Sequence, residues 1–318
     1  MSELSLGGVT GRKSLPAFGK ALRLDLKKHG VLYLIALPAL IYYFVYCYWP
    51  MYGAVIAFKE FNPADGIFNS PWVGFKNFLD FFKNVYFFRL ISNTFLLSLY
   101  DLLWGFPAPI ILALLLNEVK NTYFKRTVQT ISYLPHFIST VVICGIIIDF
   151  TSSSGFINTV IAFFGGERSN LLMNAGLFRT IFISTNIWQG IGWGSIIYLA
   201  ALTGIDSALY EACTIDGGGR WKQLLHITLP GLAPTIIILL ILRMGSMMNV
   251  GFEKIFLLYN PVTYETADVI STYVYRKGII DASFSFSTAV GLFNSVINFV
   301  LLILANQISR RVSDTSLW

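Results

Sequence analysis

The sequence predicts an all-α polytopic membrane protein with six transmembrane helices and both termini in the cytoplasm. Three observations carry this. The mean hydropathy is +0.64, with 55% of residues apolar. Charged residues make up only 13%, against about 25% in an ordinary soluble domain, so a water-facing surface could not be kept hydrated. Six apolar stretches are also long enough to cross hydrocarbon roughly 30 Å thick, which takes about 20 helical residues.

The first stretch is Val31 to about Pro50, inside a charge-free segment that ends at Lys59. The second runs from about Leu90 to Leu116 and is broken only by Asp101. The third is Thr127 to Ile148 and the fourth Thr180 to Ile205. The fifth, about Leu232 to Phe252, is broken only by Arg243, and the sixth is about Ser283 to Gln307. Strands of a membrane barrel need only about 9–11 residues and alternate in polarity, which these do not. The chain therefore divides into a basic N-terminal tail, residues 1–29, and one membrane domain, residues 30–318. The tail is polar, and the apolar run after it exceeds a signal-peptide core of about 7–15 residues, so it reads as a tail and not as a cleaved signal.

Lys and Arg gather on the cytoplasmic side of membrane proteins. Here they gather in the tail (Arg12, Lys13, Lys20, Arg23, Lys27, Lys28), between spans two and three (Lys120, Lys125, Arg126) and after span six (Arg310, Arg311). Both termini are thus expected inside. The net charge of +6 follows from topology, since no basic stripe interleaved with aromatics suggests nucleic acid. The loop from Met51 to Phe88 falls outside and is rich in rings, among them Phe58, Phe61, Phe68, Trp72, Phe75, Phe78, Phe81, Phe82 and Tyr86. Such rings suit the headgroup layer or an external partner. Cys47, Cys144 and Cys213, with His29, His136 and His226, show no metal-ligand spacing.

The segment between spans four and five, about residues 204–231, is the most informative. Asp206 or Ser207 can cap a short helix containing Glu211. Gly217, Gly218 and Gly219 can end it, because glycine accepts the left-handed backbone of a helix stop. A second short helix starts near Arg220, with Trp221, Leu224, Leu225 and Ile227 at roughly helical spacing. Pro230 and Pro234 mark the start of span five. Such a pair forms a knob suited to a partner's groove.

Glu211-Ala212-Cys213, then Gly217, then Ile227 and Leu229-Pro230 keep every spacing of a family pattern: Glu-Ala-Ala, three residues, Gly, nine residues, Ile, any residue, Leu-Pro. Asp216 before the glycine also fits, and Cys213 stands where alanine is usual. On this motif the chain resembles permease subunits of binding-protein-dependent bacterial ABC importers. Asn93-Thr94, Tyr133-Leu134-Pro135 and the run from Trp188 to Trp193 resemble the sugar branch. Phe58-Lys59-Glu60-Phe61, Trp72-Val73-Gly74-Phe75 and the carboxyl end Ser313-Asp314-Thr315-Ser316-Leu317-Trp318 resemble permeases for pectin-derived, alginate and other complex oligosaccharides.

The resemblance implies a type I importer permease fold in the bacterial cytoplasmic membrane, forming half of an oligosaccharide path. It also implies a second homologous permease, two ATPase subunits and an extracytoplasmic solute-binding protein. The segment 204–231 becomes the coupling loop, with Glu211, Ala212, Asp216, Gly217, Trp221, Ile227, Leu229 and Pro230 facing or shaping the ATPase contact. The chain has no GxxxxGK[ST] loop. No cofactor is expected on it; ATP and Mg belong to the partner ATPases, and the chain itself is not expected to be an enzyme. The alternatives are a permease of the same family for another solute, or a secondary transporter, which the coupling motif does not fit. An intramembrane enzyme would need a nucleophile–base pair or a metal set within the spans.

Asp101 lies eleven residues in from Leu90, and Arg243 eleven in from Leu232. At 1.5 Å per residue both depths are about 16 Å, near the midplane. A charge there costs at least ~2.5–3.5 kcal/mol, so the two either pair across helices or face a watery path. There Arg243 suits a uronate carboxylate. Asn186, Trp188, Gln189 and Trp193 in span four offer amides for sugar hydroxyls and rings for sugar faces. The alternative is helix packing, which Gly190, Gly192 and Gly194 favour.

Overall fold

The computed structural model describes residues 18–312, 316 and 317. Arg12 and Lys13 of the tail, and Ser313, Asp314, Thr315 and Trp318 of the carboxyl end, lie outside the described residues. The chain forms two compact units, Met1–Val55 and Ile56–Trp318. In the first, helix α1 (Phe18–Tyr42) bends at His29, whose backbone leaves the helical region, and continues into a π-helical stretch at Tyr43–Tyr48. Exposed apolar side chains such as Val31, Leu34, Ile35, Leu40 and Phe44 stud it, as expected of a helix solvated by lipid.

Five helical runs among the described residues are long and apolar enough to cross a membrane: Lys27–Phe58, Phe87–Glu118, Thr140–Phe163, Arg220–Gly245 and Phe284–Arg311. A sixth is reached when Ala175–Thr203 and Ser207–Ile215, bent by 70° at the break between them, are taken as one.

In the second unit a single helical turn at Gly66–Asn69 precedes the short helix α2 (Lys76–Phe82), which is followed by α3 (Phe87–Glu118). Asp101–Gly105 makes a π turn inside α3, closed by Phe106 N–H donating to the Asp101 carbonyl at 3.0 Å. Such turns re-aim side chains and often mark functional positions.

The third expected span, Thr127 to Ile148, is broken. Helix α4 (Thr122–Tyr133) stops before a 3-10 turn at Leu134–Phe137, and α5 (Thr140–Thr151) starts anew. Pro135 has no N–H and its ring crowds the preceding turn, while Ser139 caps α5 by accepting from the Val142 N–H at 3.4 Å. The membrane-crossing run therefore moves toward the C-terminus, to Thr140–Phe163, which includes α6 (Phe156–Phe163).

Helix α7 (Ala175–Thr203) spans the fourth stretch and is followed by α8 (Ser207–Ile215). Helix α9 (Arg220–Gly245) corrects the fifth. It starts earlier than Leu232 because the expected second short helix is continuous with the span. A π turn at Leu224–Thr228, closed by the Leu229 N–H donating to the Leu224 carbonyl, carries the helix on into Leu229-Pro230. It also ends earlier than Phe252. The chain turns at Ser246–Val250, where Asn298 Oδ1 accepts the Met248 N–H at 2.8 Å. It then passes through Gly251 at φ +71°, a left-handed conformation natural to glycine. Helices α10 (Phe252–Leu258), α11 (Ile270–Tyr275) and α12 (Phe284–Val312) follow.

Three apolar clusters hold this unit together. Leu97, Ile143, Phe178, Phe182, Ile255 and Val269 join α3, α5, α7, α10 and the strand-like segment before α11. Phe81, Leu90, Met248, Ile270, Tyr273 and Val290 form the second cluster, and Ala113, Tyr198, Leu202 and Leu232 the third. Part of the aromatic loop is thus core: Phe81 is 1% exposed and packs edge-to-face on Phe87, Phe286 and Phe293. Phe58, stacked on Trp72 at 5.8 Å, gathers Phe75 and Phe78 instead.

Polar ties lock the same region. Asn93 donates to the carbonyls of Glu265 and Asp268 and accepts from Arg179 at 2.7 Å. Thr94 Oγ1 accepts the Ile270 N–H at 3.0 Å. The fully buried Asp268 accepts from Arg276 at 2.6 Å and from Arg89 at 3.4 Å.

Candidate functional site

Two cavities meet around the charges that interrupt α3 and α9. The larger, about 700 Å³, is lined by α3, α7 and α9, including Asp101, Asn186, Trp193, Tyr198 and Arg243. The smaller, about 240 Å³, shares Asp101, Asn186 and Arg243 and adds Ser98, Phe182, Asn249 and Lys254. The shared residues make one wall facing both spaces.

Arg243 and Asp101 form an ion pair across α3 and α9. Their environments differ: the Asp101 side chain is 11% exposed and that of Arg243 is 49% exposed. The π turn sets the carboxylate in place, and Gly105 makes room for it, because a Cβ there would lie 2.9 Å from Asp101 Oδ1.

The span-four residues divide. Asn186 and Trp193 line the larger cavity. Trp193 also stacks on His136 at 4.5 Å, nearly parallel. Gln189 reaches the site through Lys254. Trp188 lines neither cavity and is exposed on another face of α7. Of the three glycines, Gly192 sits against the Ser132 backbone and Gly194 against Pro109, while Gly190 lines the cavity with nothing within 4 Å of a Cβ. Close packing and an open wall thus share one helix.

Lys254 was not singled out by the sequence. It is 6% exposed, and its ammonium donates to Asn186 Oδ1 at 2.8 Å and Gln189 Oε1 at 3.0 Å. The signal that could have found it is the pair of amides one helical turn apart on α7, which can together hold one donor.

The segment 204–231 has the geometry of a stiff knob. Asp206 caps α8 by accepting the Ala208 N–H at 2.9 Å. The helix ends in a left-handed stop: Gly217 has φ +75°, its N–H reaches the Thr214 carbonyl at 3.0 Å, and Gly218 N–H reaches that of Cys213 at 2.7 Å. This is the paired hydrogen-bond pattern of a Schellman stop. Two bonds tie α8 to α9: Tyr210 hydroxyl to Thr228 Oγ1 at 3.0 Å, and Gln223 Nε2 to Thr214 Oγ1 at 2.9 Å. Glu211 is exposed, as are Ile215 at 86% and Trp221 at 76%. Ile227 and Leu229 are partly covered. The knob presents an acidic side chain and two large apolar ones on a preformed frame.

Residues 105–314 match the family model described as binding-protein-dependent transport system inner membrane component. Protein LplB of Bacillus subtilis (strain 168) is 46% identical, with 92% of each chain covered. The polygalacturonan/rhamnogalacturonan transport system permease protein YteP of the same organism is 44% identical over 94% of each chain. Among solved structures, a bacterial ABC transporter involved in the import of the acidic polysaccharide alginate matches with TM-score 0.85 and 45% identity, covering 92% of this chain and 99% of that one. A bacterial alginate ABC transporter in complex with alginate pentasaccharide-bound periplasmic protein matches with TM-score 0.86 and 44% identity, over 93% and 99%. The chain therefore belongs to the binding-protein-dependent transport family, as a multi-pass permease subunit of an ABC importer in the cytoplasmic membrane whose ATP hydrolysis resides on separate subunits.

Proposed function

We propose that this permease carries acidic, uronate-containing oligosaccharides. The observation that carries the reading is the charge balance of the cavity wall. Among the described lining residues, two cations, Arg243 and Lys254, face one carboxylate, Asp101. A net positive wall inside a low-dielectric cavity attracts an anion and repels a cation. Asn186 supplies an amide for hydroxyls, and Trp193 supplies a ring face for sugar C–H groups. Polygalacturonan and alginate, named for YteP and for the solved transporter, are both acidic.

In this reading the cavity is half of a path that a second, homologous permease completes. An extracytoplasmic solute-binding protein delivers the sugar. The loop 204–231 docks on one of two ATPases, with Glu211, Ile215 and Trp221 at the contact and Gly217 and Pro230 shaping the frame. Closure of the ATPases moves the loop as a rigid body and switches the cavity between outside and inside. Six spans, both termini in the cytoplasm and the basic tail of residues 1–29 complete the topology, as the placement of Lys and Arg supports.

The test is uptake by proteoliposomes containing the whole importer and its binding protein. Trigalacturonate or trimannuronate should accumulate with ATP, and maltotriose should not. Preference for maltotriose would sink the acidic reading.

A further inference from the structure

We propose that Lys254, and not Arg243, is the group that reads the substrate carboxylate in this path. The inference rests on the acidic-oligosaccharide reading and assigns it to one side chain.

Arg243 is the obvious candidate because guanidinium binds carboxylates in a fork. Its charge is already answered, however, by Asp101 across the helix interface. A substrate carboxylate approaching Arg243 would meet the Asp101 carboxylate as well, and like charges at that range repel.

Lys254 stands differently. It is one of the few charged residues that are more than nine-tenths buried, at 6% exposure. Among the described residues no carboxylate lies within ion-pairing distance of it. Its two hydrogen-bond partners, Asn186 Oδ1 and Gln189 Oε1, are neutral. An ammonium has three donors, so one finds no acceptor among the described residues. The side chain lines the smaller cavity, and its nitrogen lies 6.0 Å from the centre of the Phe182 ring. A buried charge with only neutral partners is costly. An arriving anion supplies the missing counter-charge, so the site favours anions over neutral ligands of the same shape.

The connection to the path is through Asn186. It holds Lys254 and lines both cavities, so a uronate whose ring lies in the larger cavity can extend its carboxylate toward the ammonium. Neutral amides hold the donor without cancelling its charge. A carboxylate partner in their place would have fixed Lys254 equally well and left nothing for a ligand.

The alternative is that Lys254 only ties α10 to α7. Two variants separate these roles: Lys254→Met removes charge and donor, and Lys254→Gln keeps an N–H for the neighbouring amides while removing the charge. The complete importer is reconstituted in proteoliposomes with saturating binding protein. Uptake of radiolabelled trigalacturonate and ATP hydrolysis stimulated by the liganded binding protein are measured together. Uptake should fall about tenfold or more in both variants, the scale of a lost charged hydrogen bond. Stimulated hydrolysis should stay within twofold, because docking and coupling lie elsewhere. Lys254→Arg should retain uptake.

Unchanged uptake in Lys254→Gln overturns the proposal. So does failure of both neutral variants to assemble, or a parallel loss of hydrolysis, since each makes Lys254 a structural tie. Wild-type importer that ignores trigalacturonate and trimannuronate alike would instead overturn the acidic reading itself.

Discussion

Replacing Arg243 should cost far more than replacing Asp101, and replacing both should cost least. In Arg243→Met the Asp101 carboxylate stays behind with its side chain only 11% exposed and no guanidinium beside it. Breaking a buried pair from one side costs about 3–5 kcal/mol, and Asp101 is close to that limit. In Asp101→Leu the stranded group is Arg243, whose side chain is 49% exposed and can turn toward the cavity, so the cost falls to about 1 kcal/mol, the scale of an exposed pair. The double variant strands nothing, and apolar replacement of a whole pair is often near neutral. A coupling of about 4–6 kcal/mol between the two positions follows, above the usual range for residues in contact. The assay is thermal stability of the detergent-purified complex, scored by the fraction that remains assembled after a temperature ramp. The expected order is wild type and double variant highest, Asp101→Leu next and Arg243→Met lowest. The double variant should also import trigalacturonate at close to the wild-type rate. A double variant less stable than both singles refutes the pairing argument. A stable double variant that loses acidic sugar while keeping a neutral one refutes the assignment of Arg243 to packing.

Three further outcomes follow from the geometry. Gly217→Ala should cost about 1–2 kcal/mol for an L side chain at φ +75°, whereas Gly217→Pro or Glu211→Lys should abolish uptake with membrane insertion intact, checked by membrane fractionation beside a transport assay. Gly192→Ala should prevent assembly, because its Cβ would run into the Ser132 carbonyl, while Gly190→Ala, with open space around it, should be tolerated; detergent size-exclusion profiles distinguish the two. If a second permease completes the path as proposed, this chain reconstituted alone should give no saturable sugar flux, and ATP-independent saturable flux from it would contradict the two-permease arrangement.

The spans were legible wherever hydrophobicity alone decides the backbone. Phe87–Glu118 contains its expected stretch, the π turn at Asp101–Gly105 leading on through Pro107 without a break, and Phe284–Arg311 covers its own from Phe284 onward. Thr127 to Ile148 failed because hydropathy averages over Pro135, where the backbone loses a donor and the helix restarts at Ser139. The fifth stretch failed at both ends for a related reason. A hydropathy window cannot register that a π turn lets Leu229-Pro230 continue a helix, or that Gly251 turns the chain back before Phe252. The aromatic loop was misjudged in part because Phe81 and Trp72 look alike in sequence. Only tertiary contact separates the ring in the core from the ring on the surface.

The site divides along the same line. Asp101 and Arg243 stood out because charge inside a span is anomalous on its own, and equal depth from opposite faces is enough to suggest a pair. The glycine stop of the knob was visible because a left-handed stop calls for glycine at a fixed place after a capped helix. Lys254 carried no such mark. It lies in a segment between spans where lysine is ordinary, and the segment folds back so that a residue far along the chain meets Asn186 and Gln189 on α7. Charge in a span must be explained at once, whereas charge in a loop becomes anomalous only when the fold buries it. For that reason the cation matched by a carboxylate was the one the sequence offered, and the cation left unmatched emerged from the fold. In a transporter of anions the unmatched one is the more useful. A paired charge steadies the wall whether or not a ligand is present, while an unpaired one changes its energy when an anion arrives, and that difference between empty and loaded path selects an acidic sugar over a neutral one.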